Sequence, residues 1–156
     1  MKASKIFLIP VSVMIISLTC AFIQTSDTCD TKTLKDNAKA ALDPFKYDSG
    51  KVTRLYYKKK TQLKEMEIPV FVGEKYRIVF NTEGISRDVT ITIYNKDKDS
   101  KNREELYNAK VTPGGDKIHI FEPKGAKFKF YVDYNLPAVS DSLPPSECMV
   151  MMLGYK

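Results

Sequence analysis

From residue 52 onward apolar and polar side chains alternate with a period of two, the mark of strands with one dry and one wet face. The runs are VTRLYYK (52–58), KEMEIPVFV (64–72), KYRIVFNT (75–82), DVTITIYN (88–95), EELYNAKV (104–111), DKIHIFE (116–122), AKFKFYVDY (126–134) and CMVMMLGY (148–155). Parity groups Met66, Ile68, Val70 and Val72 on one side, likewise Tyr76, Ile78 and Phe80, then Val89, Ile91 and Ile93, and finally Phe128, Phe130, Val132 and Tyr134. Their neighbours are mainly Lys, Thr, Glu and Arg, so each sheet is expected to keep one face in water. Eight runs separated by turn signals predict a mainly β fold: an antiparallel, jelly-roll-like β-sandwich of about eight strands. Gly73-Glu74 and Pro113-Gly114-Gly115 mark sharp connections, and Pro69, lacking an amide donor, places its strand at an edge or a bulge. No internal repeat is found.

The last run breaks the alternation. Cys148, Val150 and Met152 fall on one side and Met149, Met151 and Leu153 on the other, so both faces are expected to be covered. That describes a central strand with the sandwich core below it and something else above. The covering element is predicted from DTKTLKDNAKAALDPF (30–45), where Asp30 or Thr31 can cap a helix and Pro44 ends the pattern. Leu34, Ala38, Ala41, Leu42 and Phe45 follow at spacings of 4, 3, 1 and 3, one face at 3.6 residues per turn, with Lys32, Lys35, Asp36 and Lys39 opposite.

The N-terminus belongs to a different class of segment. Lys2 and Lys5 precede an uncharged apolar stretch from Ile6 to Ile23, the n-region and h-region order of a secretory signal. The expected organisation is a signal peptide over 1–25, cleaved between about residues 19 and 26, a helical segment over 26–50, and the sandwich over 51–156. An uncleaved membrane anchor, or a lipid on Cys20, are the alternatives. Loss of the leader with its two lysines takes the formal net charge from +6 to +4. The chain is expected in the periplasm or outside the cell.

Cleavage leaves two thiols, Cys29 and Cys148, and an even pair in an exported chain implies a disulfide. The alternative is two separate buried thiols. A bridge would close a loop of about 120 residues and fasten the helix's start to the last strand.

Candidate chemistry is sparse. A metal site at His119, the only histidine, would need three more ligands, while the cysteines are better used in a bridge; its parity opposite Ile118 and Ile120 reads as a surface position. Asp97, Asp99 and Asn102 invite a calcium reading, but Lys101, Asn102 and Asn108 stand where the EF-hand pattern needs a ligand, the turn glycine and the bidentate glutamate. No nucleophile elbow and no glycine-rich phosphate loop are present, and the carboxylates are scattered over wet faces and turns. No metal, cofactor or nucleic-acid partner is expected, because the one dense cationic cluster, Lys58-Lys59-Lys60, reads as a solvated turn. Aromatics are more suggestive: nine tyrosines and eight phenylalanines without tryptophan, with Tyr56, Tyr57, Tyr94, Tyr107 and Tyr131 falling outside the inferred core faces. Tyrosines beside cations form a platform for a sugar or a protein, or else pack at sheet margins with the hydroxyl in water.

From Ile68 to Tyr155 the order VFVGEKYRIVF (70–80), DVTITIYN (88–95) and KFKFYVDY (127–134) resembles bacterial pre-peptidase C-terminal-type β-sandwich modules. The resemblance implies a non-catalytic appendage of exported proteins, expected here as a stand-alone module. The expected function is therefore an exported binding or structural module for a protein or carbohydrate, with Arg54, Tyr56, Tyr57 and Lys58 as the candidate ligand-binding residues. A carboxylate-dependent hydrolase and a membrane-tethered subunit of a cell-envelope assembly are the alternatives, the latter requiring that the leader be retained.

Overall fold

The computed structural model describes residues 29–125, 128–140 and 146–156; the expected leader lies outside the described residues. Helix α1 (Thr31–Ala40) is followed by strands β1 (Lys46–Leu55), β2 (Gln62–Pro69), β3 (Tyr76–Asn81), β4 (Val89–Tyr94), β5 (Glu105–Val111), β6 (Ile118–Phe121), β7 (Lys129–Leu136) and β8 (Glu147–Tyr155). All pairings are antiparallel, in two four-stranded sheets ordered β1-β8-β3-β6 and β2-β7-β4-β5. This is a mainly β sandwich with the strand order of a jelly roll. β2 is an edge strand and Pro69 is its last residue, a place in a sheet where a residue without an amide donor is tolerated.

β8 is central and dry on both faces. Met149, Met151 and Leu153 join the core between the sheets, with Ile78, Phe80, Ile91, Phe130 and Tyr134. Cys148, Val150 and Met152 join a second cluster beneath α1, formed with Leu34, Ala38, Leu42 and Val79. The Asp30 carboxylate caps α1 by accepting from the Lys32 and Thr33 amides, and the Thr33 hydroxyl holds it below the usual carboxylate range. The helix ends at Ala40, earlier than the apolar spacing predicts, yet Leu42 and Phe45 stay buried because the following turn keeps them against β8. Cys29 and Cys148 form a disulfide with a Cα–Cα distance of 5.6 Å.

Three strand expectations need correction. β1 begins at Lys46, inside the segment expected to be non-strand, because Lys46 to Lys51 are exposed and carry no alternation while their backbone still pairs with the end of β8. Val72 and Phe128 continue the parity of core faces but are 51% and 76% exposed, since β2 ends at Pro69 and β7 starts at Lys129. His119 does lie opposite its isoleucines, but its side is the one that faces the core between the sheets, while Ile118 packs against the cluster beneath α1. His119 pairs with Phe80 of the core, whereas Ile120 is exposed.

His119 is half-buried, its Nε2 has no hydrogen-bond partner among the described residues, and desolvation lowers its pKa. Below about pH 6.5 the unfolded chain takes up this proton while the folded chain resists it, so stability falls as the pH drops until the lowered folded-state pKa is passed. Melting of wild type and His119→Gln at pH 7.5 and 5.5 is expected to show a smaller acid loss in the variant. Equal losses would remove His119 as the source.

Candidate binding surface

The two sheets differ in what covers them. Above β1-β8-β3-β6 lies α1, whereas the outer side of β2-β7-β4-β5 has no covering element among the described residues. Cross-strand register sets rows of polar side chains on that open face: Glu67, Tyr131 and Tyr94, then Glu65, Asp133, Thr92 and Asn108. Arg103 comes down on them from the β4–β5 connection. Its Nη1 and Nη2 donate to both oxygens of Asp133 at 2.7 and 2.9 Å, Nη2 donates to Glu65 at 2.9 Å, and its guanidinium sits 3.6 Å from the Tyr94 ring centroid. The cross-strand carboxylates Glu65 and Asp133 are thus both engaged by one cation. Asp97, considered above as a calcium ligand, caps its own turn by accepting from the Asp99 amide and the Ser100 hydroxyl, which lowers its pKa.

The four candidate residues from the sequence lie at the edge where β1 meets β2, and the structure divides them. Arg54, Tyr56 and Lys58 share one parity and are exposed. Tyr57 turns inward and is 3% exposed, so it is no part of a surface platform. Its hydroxyl donates to Glu147 at 2.7 Å and the Ser86 hydroxyl donates to the other oxygen of that buried carboxylate. Burial and then the Glu147 hydrogen bond push the Tyr57 phenol far above its usual range. This cluster ties the ends of β1 and the β3–β4 connection to the start of β8, beside the disulfide.

In place of Tyr57 the fold supplies Lys64. It has the inward parity of Met66 and Ile68 but sits near the start of β2, where its stem runs out of the core. Nζ donates to the Arg54 carbonyl at 3.1 Å and lies 5.6 Å from the Tyr56 ring centroid. Desolvation, and secondarily the charge of Lys58, lower the Lys64 pKa. The only sequence signal for Lys64 was a lysine on a core parity.

The wider setting is strongly cationic. Residues 51–64 contain six cations, Lys51, Arg54, Lys58, Lys59, Lys60 and Lys64, and no Asp or Glu. Such an edge attracts anions at distances set by the Debye length, and Tyr56, 55% exposed, adds a flat apolar surface.

No family model matches the chain, and no curated protein matches it. Among solved structures it is similar to the crystal structure of PirA, with a TM-score of 0.38 and 13% sequence identity, over 71% of this chain and 98% of that one. No helix among the described residues is long and apolar enough to cross a membrane.

Proposed function

We propose that the chain is an exported, non-catalytic binding module that holds an acidic polysaccharide along its β1–β2 edge. One observation carries the reading: in the acid-free run 51–64 the Lys64 ammonium lies 5.6 Å from the centroid of the exposed Tyr56 ring, and Arg54 and Lys58 are exposed on the same parity as that ring. A carboxylated sugar polymer matches both halves of that arrangement, anionic groups for the ammonium ions and a pyranose face for the ring. Export is supported by the leader pattern and by the disulfide, which belongs to oxidising compartments. The resemblance to non-catalytic sandwich appendages points the same way.

Titration with polygalacturonate is expected to show salt-dependent binding, and with amylose none. Replacing Tyr56, Lys58 and Lys64 together by alanine is expected to weaken binding on the order of tenfold or more, with the melting temperature of the fold retained. Wild-type affinity in that variant would refute the site. Equal binding of duplex DNA would refute the saccharide, leaving only attraction between opposite charges.

A further inference from the structure

β2 runs from the cationic β1–β2 turn to the opposite end of the sandwich, roughly 25 Å away at the rise of a strand. There three large apolar side chains stand in the open: Phe71 is 78% exposed, Val72 51% and Phe128 76%. Phe71 and Val72 belong to the β2–β3 connection and Phe128 to the entry of β7. The Val70 amide donates to the Phe128 carbonyl at 2.9 Å, which places the two phenylalanines on one tip. Exposed aromatics scattered singly need no explanation, but two phenylalanines and a valine together on protruding loops do.

Cations adjoin the tip beyond Gly73. Lys75, Lys124 and Lys156 are exposed around a hollow of about 570 Å³. Lys75 and Lys156 are held there by paired backbone hydrogen bonds of 2.9 and 3.0 Å. Two nearby carboxylates are already engaged, Glu122 by Arg77 at 2.5 Å and Glu67 by Lys129 at 3.0 Å, which leaves Glu74 against three lysines. The balance at the tip is positive.

We propose that this tip docks on an anionic lipid surface, with Phe71, Val72 and Phe128 entering the boundary between headgroups and acyl chains and Lys75, Lys124 and Lys156 meeting the phosphates. A second copy of the chain is a poorer occupant. At the areas typical of such side chains the patch offers roughly 400 Å², about half of the ~800 Å² per partner of a stable interface. Each apolar group also projects from a connection rather than lying on a flat sheet face, a shape suited to insertion into a fluid layer. Docked in this way, the molecule presents its β1–β2 edge away from the lipid, so the two surfaces stand or fall separately.

The chain contains no tryptophan, which makes a clean test possible with the full protein. Phe71→Trp and Phe128→Trp each introduce one reporter at the tip, and Leu63→Trp introduces one at an exposed position on the open face. With vesicles of phosphatidylglycerol and phosphatidylcholine, both tip reporters are expected to shift to the blue and to be quenched by lipids brominated near the headgroup, while the Leu63→Trp reporter does neither. Lys75→Glu combined with Lys124→Glu is expected to raise the lipid concentration needed on the order of tenfold or more. The proposal is overturned if the tip reporters ignore vesicles, or if phosphatidylcholine alone acts as strongly. It is equally overturned if the Leu63→Trp reporter responds as the tip does, or if a tip reporter shifts without lipid as protein concentration rises and sedimentation shows a dimer.

Discussion

Reduction of the Cys29–Cys148 bridge, or replacement of both cysteines by serine, is expected to destabilise the chain by about 4–5 kcal/mol in the chain-entropy treatment, for partners 119 residues apart. That is a large part of the 5–15 kcal/mol typical of a domain, and corresponds to a fall in melting temperature of roughly 15 °C. The bridge is placed where its loss is felt. It holds the segment entering α1 against the central strand, and without it the cover over Val79, Val150 and Met152 is kept by the contacts of Leu34, Ala38 and Leu42 and by hydrogen bonds such as that from the Asn81 side-chain amide to the Leu34 carbonyl. The β3–β4 connection shares this site: a Cβ at Gly84 would come within 2.5 Å of the Cys148 carbonyl oxygen, so the close approach requires glycine. Differential scanning calorimetry with and without reductant measures the effect. An unchanged melting temperature, with intact mass showing no uptake of two hydrogens on reduction, would show two free thiols instead.

Arg103→Ala is expected to cost about 2–4 kcal/mol, below the top of the range for removing one partner of a fully buried ion pair because Arg103 and Glu65 are only partly buried. The Asp133 side chain is 6% exposed and that of Glu65 19%, and they occupy directly paired positions of β2 and β7. Without the guanidinium two carboxylates face one another with little water to separate them. The same side chain fixes the β4–β5 connection, donating from Nε to the Lys96 carbonyl at 2.9 Å, while the Lys98 amide donates to Glu65 at 2.6 Å. Arg103→Lys is expected to recover little, because an ammonium cannot serve both oxygens of Asp133 while stacking on Tyr94. Adding Asp133→Asn to Arg103→Ala removes one uncompensated charge and is expected to restore part of the loss. Urea denaturation of these four proteins and of Asp133→Asn alone is the measurement, and additive losses in the double variant would show that Arg103 and Asp133 are not coupled.

Several features were legible because they depend only on local order. Alternation assigned Tyr76, Ile78, Phe80, Val89, Ile91, Ile93, Phe130, Val132 and Tyr134 to the core, where all are buried. The unalternating β8 identified itself as covered on both sides, and its two sets of side chains divide between the two clusters as their parity requires. The binding edge was half legible. In the RLYYKKK stretch two adjacent tyrosines give no contrast in polarity, so nothing distinguished the exposed Tyr56 from the buried Tyr57 until Glu147 and Ser86 were seen around the latter. Lys64 shares the parity of Met66 and Ile68, and only the edge position of β2 let its ammonium group reach Arg54 and Tyr56.

By itself, then, the sequence determined the strand period, which side chains share a face, the strand that must lie centrally and the two cysteines that meet. Those properties follow from backbone geometry within a few residues and from the need to bury what has no partner in water. The tertiary structure decided where coverage stops. Phe128 has the parity of Phe130 and ends in the open, His119 pairs with Phe80 of the core, and Arg103 finds Glu65 and Asp133, which stand 38 and 30 positions away. Whether a face is covered depends on how far the opposing sheet extends and which loops return over it, and no local pattern carries that distance.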